Sequence, residues 1–108
     1  VSVEQKAEEL AHYLEHGDDP RLRLRCSHLL GPVHSPTVDR AFLRALGDPF
    51  EPVVEWSCHE AAERCGADGT AAVMGLLNHS SWQVRLTACT TLIQQKTADQ
   101  RVVESGAA

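Results

Sequence analysis

A chain of 108 residues is long enough for one small domain with a modest core. Its fifteen acidic residues outnumber ten basic ones, and the net charge of −5 disfavours a general nucleic-acid binder, because such proteins neutralise phosphates with basic side chains. Hydrophobic residues make up 43% of the chain and aromatic residues only 5%, so aliphatic and small side chains must form most of the core. That composition is typical of closely packed helices.

The first two predicted helices have clear signals at their N-termini. Ser2 and Gln5 form a capping-box pattern ahead of an apolar stripe at helical spacing. Pro20 suits the first turn of a second helix, which ends before Gly31. The segment 21–25 (RLRLR) alternates like a strand, but the matching segments downstream do not alternate, so we predict a helix there. The two helices span about residues 3–16 and 20–30.

Capping residues and prolines also divide the rest of the chain into helices. Ser35 and Asp68 are predicted to cap the third and fifth helices, and Ser80 or Ser81 the sixth. Pro52 suits the first turn of the fourth helix. The spans are about 36–46, 52–65, 69–77 and from 82 to Lys96, after which Asp99 could begin a short seventh helix with Val102 and Val103.

Three stretches of the chain repeat, at residues 16–31, 48–63 and 78–93. The matched positions are Leu22 with Val54 and Val84, and Cys26 with Cys58 and Ala88. The offsets are 32 and then 30 residues, and a period in this range with two helices per unit is typical of an α-solenoid. We therefore predict a single domain over 1–108, with units at about 2–31, 35–66 and 68–96 and a tail at 97–108.

The segment 82–88 (WQVRLTA) resembles the short HEAT-like repeat of the phycobilisome-lyase type, in which a tryptophan precedes Val-Arg and an alanine. In the first unit Leu22-Arg23 stands for Val-Arg, and in the second Val54-Glu55 does. The resemblance implies an all-α, right-handed α-α superhelix (α-solenoid) of three HEAT-like helical hairpins. It also implies that the second helix of each hairpin lines the concave surface.

Two sets of residues on these second helices are candidates for partner binding. If the resemblance holds, Arg23, Glu55 and Arg85 form a ladder of alternating charge across the concave surface. Such charges either pair between neighbouring units, each pair contributing about 0–1 kcal/mol, or contact a ligand.

The second set is apolar. Leu24, Trp56 and Leu86 each lie two residues beyond the repeated leucine or valine, beside the main stripe. We predict either a partly exposed row that binds a peptide or simple packing between helices. Trp82 is expected to pack against the preceding unit.

Patterns for catalysis are weak. The pair His59-Glu60 resembles the His-Glu motif of deoxyhypusine hydroxylase, a di-iron enzyme of HEAT-like repeats, but that iron site needs several such pairs and this chain has one. His12 and His16 share a helix face, yet a catalytic zinc site usually needs a third protein ligand. We predict no catalytic residue, no metal site and no cofactor.

The four cysteines are predicted to be buried free thiols among apolar neighbours: Cys26, Cys58, Cys65 and Cys89. None belongs to a Cys-x-x-Cys pair, which argues against a zinc ribbon or a thioredoxin-like motif. Free thiols fit a reducing compartment, so we expect a cytoplasmic protein.

The sequence favours a non-catalytic protein–protein interaction scaffold or adaptor, which binds another protein or a peptide on its concave helix surface. A bilin (tetrapyrrole) lyase or lyase-like subunit is the alternative that the repeat type suggests. A DNA-binding HEAT-like protein is a further alternative, which the acidic charge disfavours. No run of apolar residues is long enough to predict a membrane partner. The C-terminal end lacks a polar cap, so a homo-oligomer could form through it.

Overall fold

The computed structural model describes residues 2–106 of the chain, and the side chains of residues 2–98. Within that range the protein is all-helical and has no strand, as predicted. The elements are α1 (Val3–His16), α2 (Pro20–Leu29), α3 (Pro36–Ala45), α4 (Glu51–Arg64), α5 (Gly66–Gly75), a single 3-10 turn (Leu76–Asn78) and α6 (Trp82–Gly106). None of the helices in the part described is both long and apolar enough to cross a bilayer.

Side-chain caps set the predicted starts of α1 and α2. The Ser2 hydroxyl accepts a hydrogen bond from the Gln5 backbone N–H at 3.1 Å, and the Gln5 side chain accepts one from the Ser2 N–H at 3.2 Å. The Asp19 carboxylate accepts from the Arg21 N–H at 2.9 Å, so the alternating segment 21–25 begins a helix. Local capping outweighs the strand-like alternation there, because the caps satisfy N–H groups that a helix start leaves unpaired.

Two boundaries differ from the prediction. Helix α5 begins at Gly66 and not after Asp68, because Gly66 adopts a φ of +55°, which lets the chain turn directly out of α4. The predicted stop after Lys96 and the separate seventh helix from Asp99 are wrong, since α6 is continuous to Gly106. No glycine or proline interrupts residues 82–105, so nothing in the local sequence ends that helix earlier. The side chains of Val102 and Val103 lie outside those described.

The core has two parts, one on each side of α4. Val53 is buried in the first part, between the α1–α2 and α3–α4 hairpins, whereas Val54 is buried in the second, between α3–α4 and α5–α6. Adjacent residues of α4 therefore face opposite cores, which makes α4 the central helix of the stack. The largest fully buried side chains include Phe42, Leu14, Leu30, Val38, Val73 and Val84.

A repeated hydrogen bond fixes how the hairpins stack. Arg64 on α4 donates to the Gly31 carbonyl at 2.6 Å, and Gln95 on α6 donates to the Ala62 carbonyl at 3.2 Å. Gly31 and Ala62 are as many residues apart as Arg64 and Gln95, so one constant shift along the sequence relates equivalent positions in successive hairpins. We call this shift the stacking register. Because it is uniform, the unequal offsets that the sequence predicted for the second helices are wrong.

Burial agrees with the stacking register. The residues Cys26, Ser57 and Ala88 are related by it and are all buried. The exposure of Leu22 does not separate the two registers, because each of them matches Leu22, which is 47% exposed, with two buried valines. The alignment slipped by a single position because such a slip on a helix still leaves an apolar residue close to the stripe.

The cysteines are free, but they are not all buried. Cys26 and Cys58 lie in the cores, Cys65 is half-buried at the turn between α4 and α5, and Cys89 is exposed. The prediction of burial is wrong for Cys89, because no hairpin among the described residues covers that side of α6. Burial raises the pKa of the Cys58 thiol to about 11, with a smaller effect from the nearby Glu55 carboxylate.

The reactivity of the thiols should follow their exposure. At neutral to mildly alkaline pH, we expect Cys89 of the native protein to react with a disulfide reagent in one fast phase, and Cys58 to react only after unfolding, because it forms little thiolate. Stopped-flow absorbance at increasing urea, with Cys89→Ser as the control, measures both. A fast phase that persists in Cys89→Ser would contradict this assignment.

Candidate functional site

Arg23, the first residue of the predicted charge ladder, is engaged within the chain. Its guanidinium donates to both oxygens of Asp48, at 2.9 and 3.0 Å, and to the Gly17 carbonyl at 2.8 Å. The hydrogen bonding of the Arg23 guanidinium to the Asp48 carboxylate raises the pKa of Arg23. The Arg23 side chain is only 11% exposed, so its donors tie α2 to the turn before α4 and few of them face solvent.

The other two ladder residues also have partners of their own. Glu55 accepts a hydrogen bond from the Thr87 hydroxyl at 3.1 Å, which links α4 to α6. The exposed Arg85 donates to the His79 and Ser80 carbonyls just before α6, at 2.7 and 3.1 Å. Arg23 and Glu55 thus connect neighbouring hairpins as expected, but the predicted pairing of the three ladder residues with one another does not occur.

The predicted apolar row is also divided. Leu24 is half-buried against the first core, whereas Trp56 is 40% exposed and Leu86 is 59% exposed. In the stacking register Leu24 corresponds to Glu55 and Leu86, and Trp56 corresponds to Arg25 and Thr87. Trp56 therefore lies on a different side of its helix from the two leucines.

Trp56 is held in one orientation by α2. Its indole N–H donates to the Ser27 carbonyl at 3.2 Å. The ring also meets the His28 imidazole edge-on, with the ring centres 4.3 Å apart and the planes at 63°. The remaining exposed part of the indole is apolar, because its one hydrogen-bond donor is already used.

Two cavities lie along α4 next to this tryptophan. The smaller, of about 200 Å³, is lined by Glu55, Trp56, His59 and Glu60. The larger, of about 450 Å³, lies between α4 and α6 and is lined by His59, Ala62, Glu63, Thr91, Gln94, Gln95 and Ala98. They share His59, whose Nε2 lies 3.2 Å from a Glu63 oxygen. We call His28, Glu55, Trp56, His59 and Glu63 the Trp56 surface.

The histidines do not assemble a metal site in the part of the molecule whose side chains are described, because no three His, Cys, Asp or Glu side chains there could share an ion. The pair that resembles the hydroxylase motif is divided, since His59 pairs with Glu63 while Glu60 pairs with Arg64 at 2.8 Å. The rings of His12 and His16 have centres 4.7 Å apart and planes tilted by 51°.

Arg64 makes an important set of contacts that the sequence did not predict. Its side chain is 2% exposed, and its guanidinium lies 4.6 Å from the centre of the Phe42 ring. It donates to Asp39 and Glu60 and to three carbonyls of the α2–α3 connection, those of Leu30, Gly31 and Val33. Its role is to join hairpins. The same contact recurs at the equivalent position in α6, but the residue there is glutamine, so the repeat is not visible in the sequence.

The position of Trp82 contradicts the prediction. It is 61% exposed and does not pack into the preceding hairpin. It begins a line of exposed residues along α6 that continues through Leu86, Cys89 and Ile93. These residues are four, three and four apart, so they share one face of the helix.

A family model for the HEAT repeat matches residues 71–94, which include the C-terminal half of α5, the 3-10 turn and the first half of α6. No curated protein and no solved structure matches the chain. Residues 71–94 therefore resemble a HEAT repeat, and the stacked hairpins of the described residues are consistent with a HEAT-like α-solenoid.

Proposed function

We propose that this protein is a non-catalytic scaffold that binds another protein or a peptide on the exposed side of its second helices. The observation that carries the proposal is Trp56, an exposed aromatic side chain held in one orientation by the Ser27 carbonyl and the His28 ring. Tryptophan is among the residues that contribute most to protein interfaces. An orientation fixed before binding reduces the entropy lost on association.

The surroundings of Trp56 favour an extended segment as the partner. The two cavities meet at His59 and follow α4 towards α6, so an elongated chain could place one side chain in each. The Glu55 and Glu63 carboxylates lie beside them and favour a segment with basic or neutral polar groups. Of the residues proposed from the sequence, Glu55 and Trp56 belong to this surface. Arg23 pairs with Asp48, Leu24 packs against the first core, and Arg85 and Leu86 lie on α6.

The free thiols bear on the cellular compartment. We propose that the protein works in the cytoplasm, where Cys26, Cys58, Cys65 and Cys89 stay reduced.

The test is a binding measurement with matched variants. A partner captured on the immobilised protein is purified, and its Kd is measured by isothermal titration calorimetry. Trp56→Ala should weaken binding by roughly thirty-fold, corresponding to about 2 kcal/mol for a central aromatic residue. Trp56→Phe, which keeps the ring but loses the hydrogen bond to Ser27, should lose less.

Met74→Ala is the control, because Met74 is a large apolar residue that is more exposed than Trp56 and lies on α5, not on a second helix. It should leave the Kd within about two-fold. If Trp56→Ala remains folded by circular dichroism and binds as tightly as the parent, the Trp56 surface is not the binding site.

A further inference from the structure

The contacts of α4 distinguish the two sides of a second helix. Glu51 and Glu55 accept hydrogen bonds from Ser81 and Thr87 of the following hairpin, so their side of α4 is its forward side. Trp56 contacts α2 of the preceding hairpin, so that side is the backward side. Inside the stack each forward side is covered by the backward side of the next hairpin.

The forward side of α6 is apolar, and no hairpin among the described residues covers it. The stacking register carries the forward positions of α4 (Glu51, Glu55, Cys58 and Ala62) to Trp82, Leu86, Cys89 and Ile93. Cys58 is fully buried, whereas Cys89 is exposed and Ile93 is 60% exposed. We call Trp82, Leu86, Cys89 and Ile93 the forward face.

The backward side of α2 is uncovered in the same way. Val53 of α4 and Val84 of α6 are both fully buried by the hairpin before them, while the equivalent Leu22 is exposed. Thr91 is likewise buried, whereas the equivalent Leu29 is 55% exposed. Leucines at the open backward side thus stand where the chain elsewhere makes contacts between hairpins. We call Leu22, Arg25 and Leu29 the backward face.

The charges at the two faces are complementary. Arg85 on α6 is equivalent to Arg23 on α2, because two successive shifts by the stacking register relate them. Arg23 forms its ion pair with Asp48, which stands just before α4 begins. The turn before α2 carries the exposed Asp18, which is one residue beyond Gly17, the equivalent of Asp48 in the stacking register.

We propose that the forward face of one copy packs on the backward face of a second copy, so that the contacts between hairpins continue from chain to chain. Arg85 of one copy then pairs with Asp18 of the other, as Arg23 pairs with Asp48. Such an interface is heterologous, because it joins two different faces and leaves one free face at each end. Pairing of two forward faces would instead bring no aspartate to Arg85. It would also leave Leu22 and Leu29 of both copies exposed.

Sedimentation equilibrium over a wide concentration range tests this proposal. The parent protein should show a weight-average mass that rises steadily above that of one chain. Ile93→Glu places a charge in the forward face and Leu29→Glu places one in the backward face. Each change should block its own face, so each variant alone should remain monomeric. Gln94→Glu, an exposed change on α6 that is neither three nor four residues from any member of the forward face, should assemble like the parent.

An equimolar mixture of the two blocked variants separates the head-to-tail arrangement from any other. The intact forward face of Leu29→Glu should bind the intact backward face of Ile93→Glu, giving a dimer and nothing larger. A mixture that stays monomeric while the parent assembles overturns the head-to-tail arrangement. A parent that is monomeric at every concentration overturns the proposal, and the forward face then belongs to a different protein.

The ion pair provides a second readout that does not involve apolar residues. Arg85→Asp and Asp18→Arg should each reduce assembly at least ten-fold, and the double variant should recover it. If the double variant assembles no better than the single ones, Arg85 does not meet Asp18. This outcome is independent of binding at the Trp56 surface, because neither change lies on that surface.

Discussion

Replacing Arg64 by alanine should lower the free energy of unfolding by about 3–5 kcal/mol, because it leaves carboxylates and carbonyls partly buried without their donor. The Arg64 side chain is 2% exposed and pairs with Glu60 and Asp39 at 2.8 and 3.1 Å. A loss of this size is a large fraction of the stability of a domain of this length. Urea unfolding followed by circular dichroism measures it.

Arg44→Ala is the matched control. Arg44 also pairs with a carboxylate, that of Glu15 at 3.3 Å, but its side chain is 61% exposed. An exposed ion pair contributes only about 0–1 kcal/mol, so the midpoint should move little. Similar losses for the two arginines would show that the buried network around Arg64 does not hold the first two hairpins together.

Replacing Gly69 by alanine should lower the free energy of unfolding by about 1–3 kcal/mol, even though alanine is the better helix former. A Cβ added at Gly69 would lie 2.0 Å from the Ala61 carbonyl oxygen and 2.9 Å from its carbon. These are backbone atoms of α4, so they cannot swing away as a side chain would. The two helices would have to separate, which would open the second core.

Gly75→Ala tests whether that loss comes from the close approach. Gly75 lies in the same helix, but an added Cβ there would meet nothing within 4 Å. This change should raise the free energy of unfolding by about 0.5–1 kcal/mol through helix propensity and reduced chain entropy. Thermal unfolding of both variants gives the comparison, and a stabilised Gly69→Ala would contradict the packing of α4 on α5.

Most of the fold could be predicted from the sequence, because capping and apolar spacing are local properties. Ser2, Asp19 and Ser35 begin helices where their side chains accept the first free N–H groups. The surface was predicted less well. Trp56 was identified as a candidate, but its separation from Leu86 was missed, since an error of a single position in register rotates a helical residue by about 100°.

The sequence by itself determined that this chain forms helices and stacks them as hairpins, since the helices carry apolar stripes and several of them, such as α1, α2 and α3, carry side-chain caps. The tertiary structure decided which apolar residues are covered. Cys58 and Cys89 occupy equivalent positions in similar helices, yet one is buried and the other exposed, because within the described part of the chain α4 has a hairpin on its forward side and α6 does not. It also decided the role of Arg64, whose partners lie far away in the sequence and converge only when the hairpins stack.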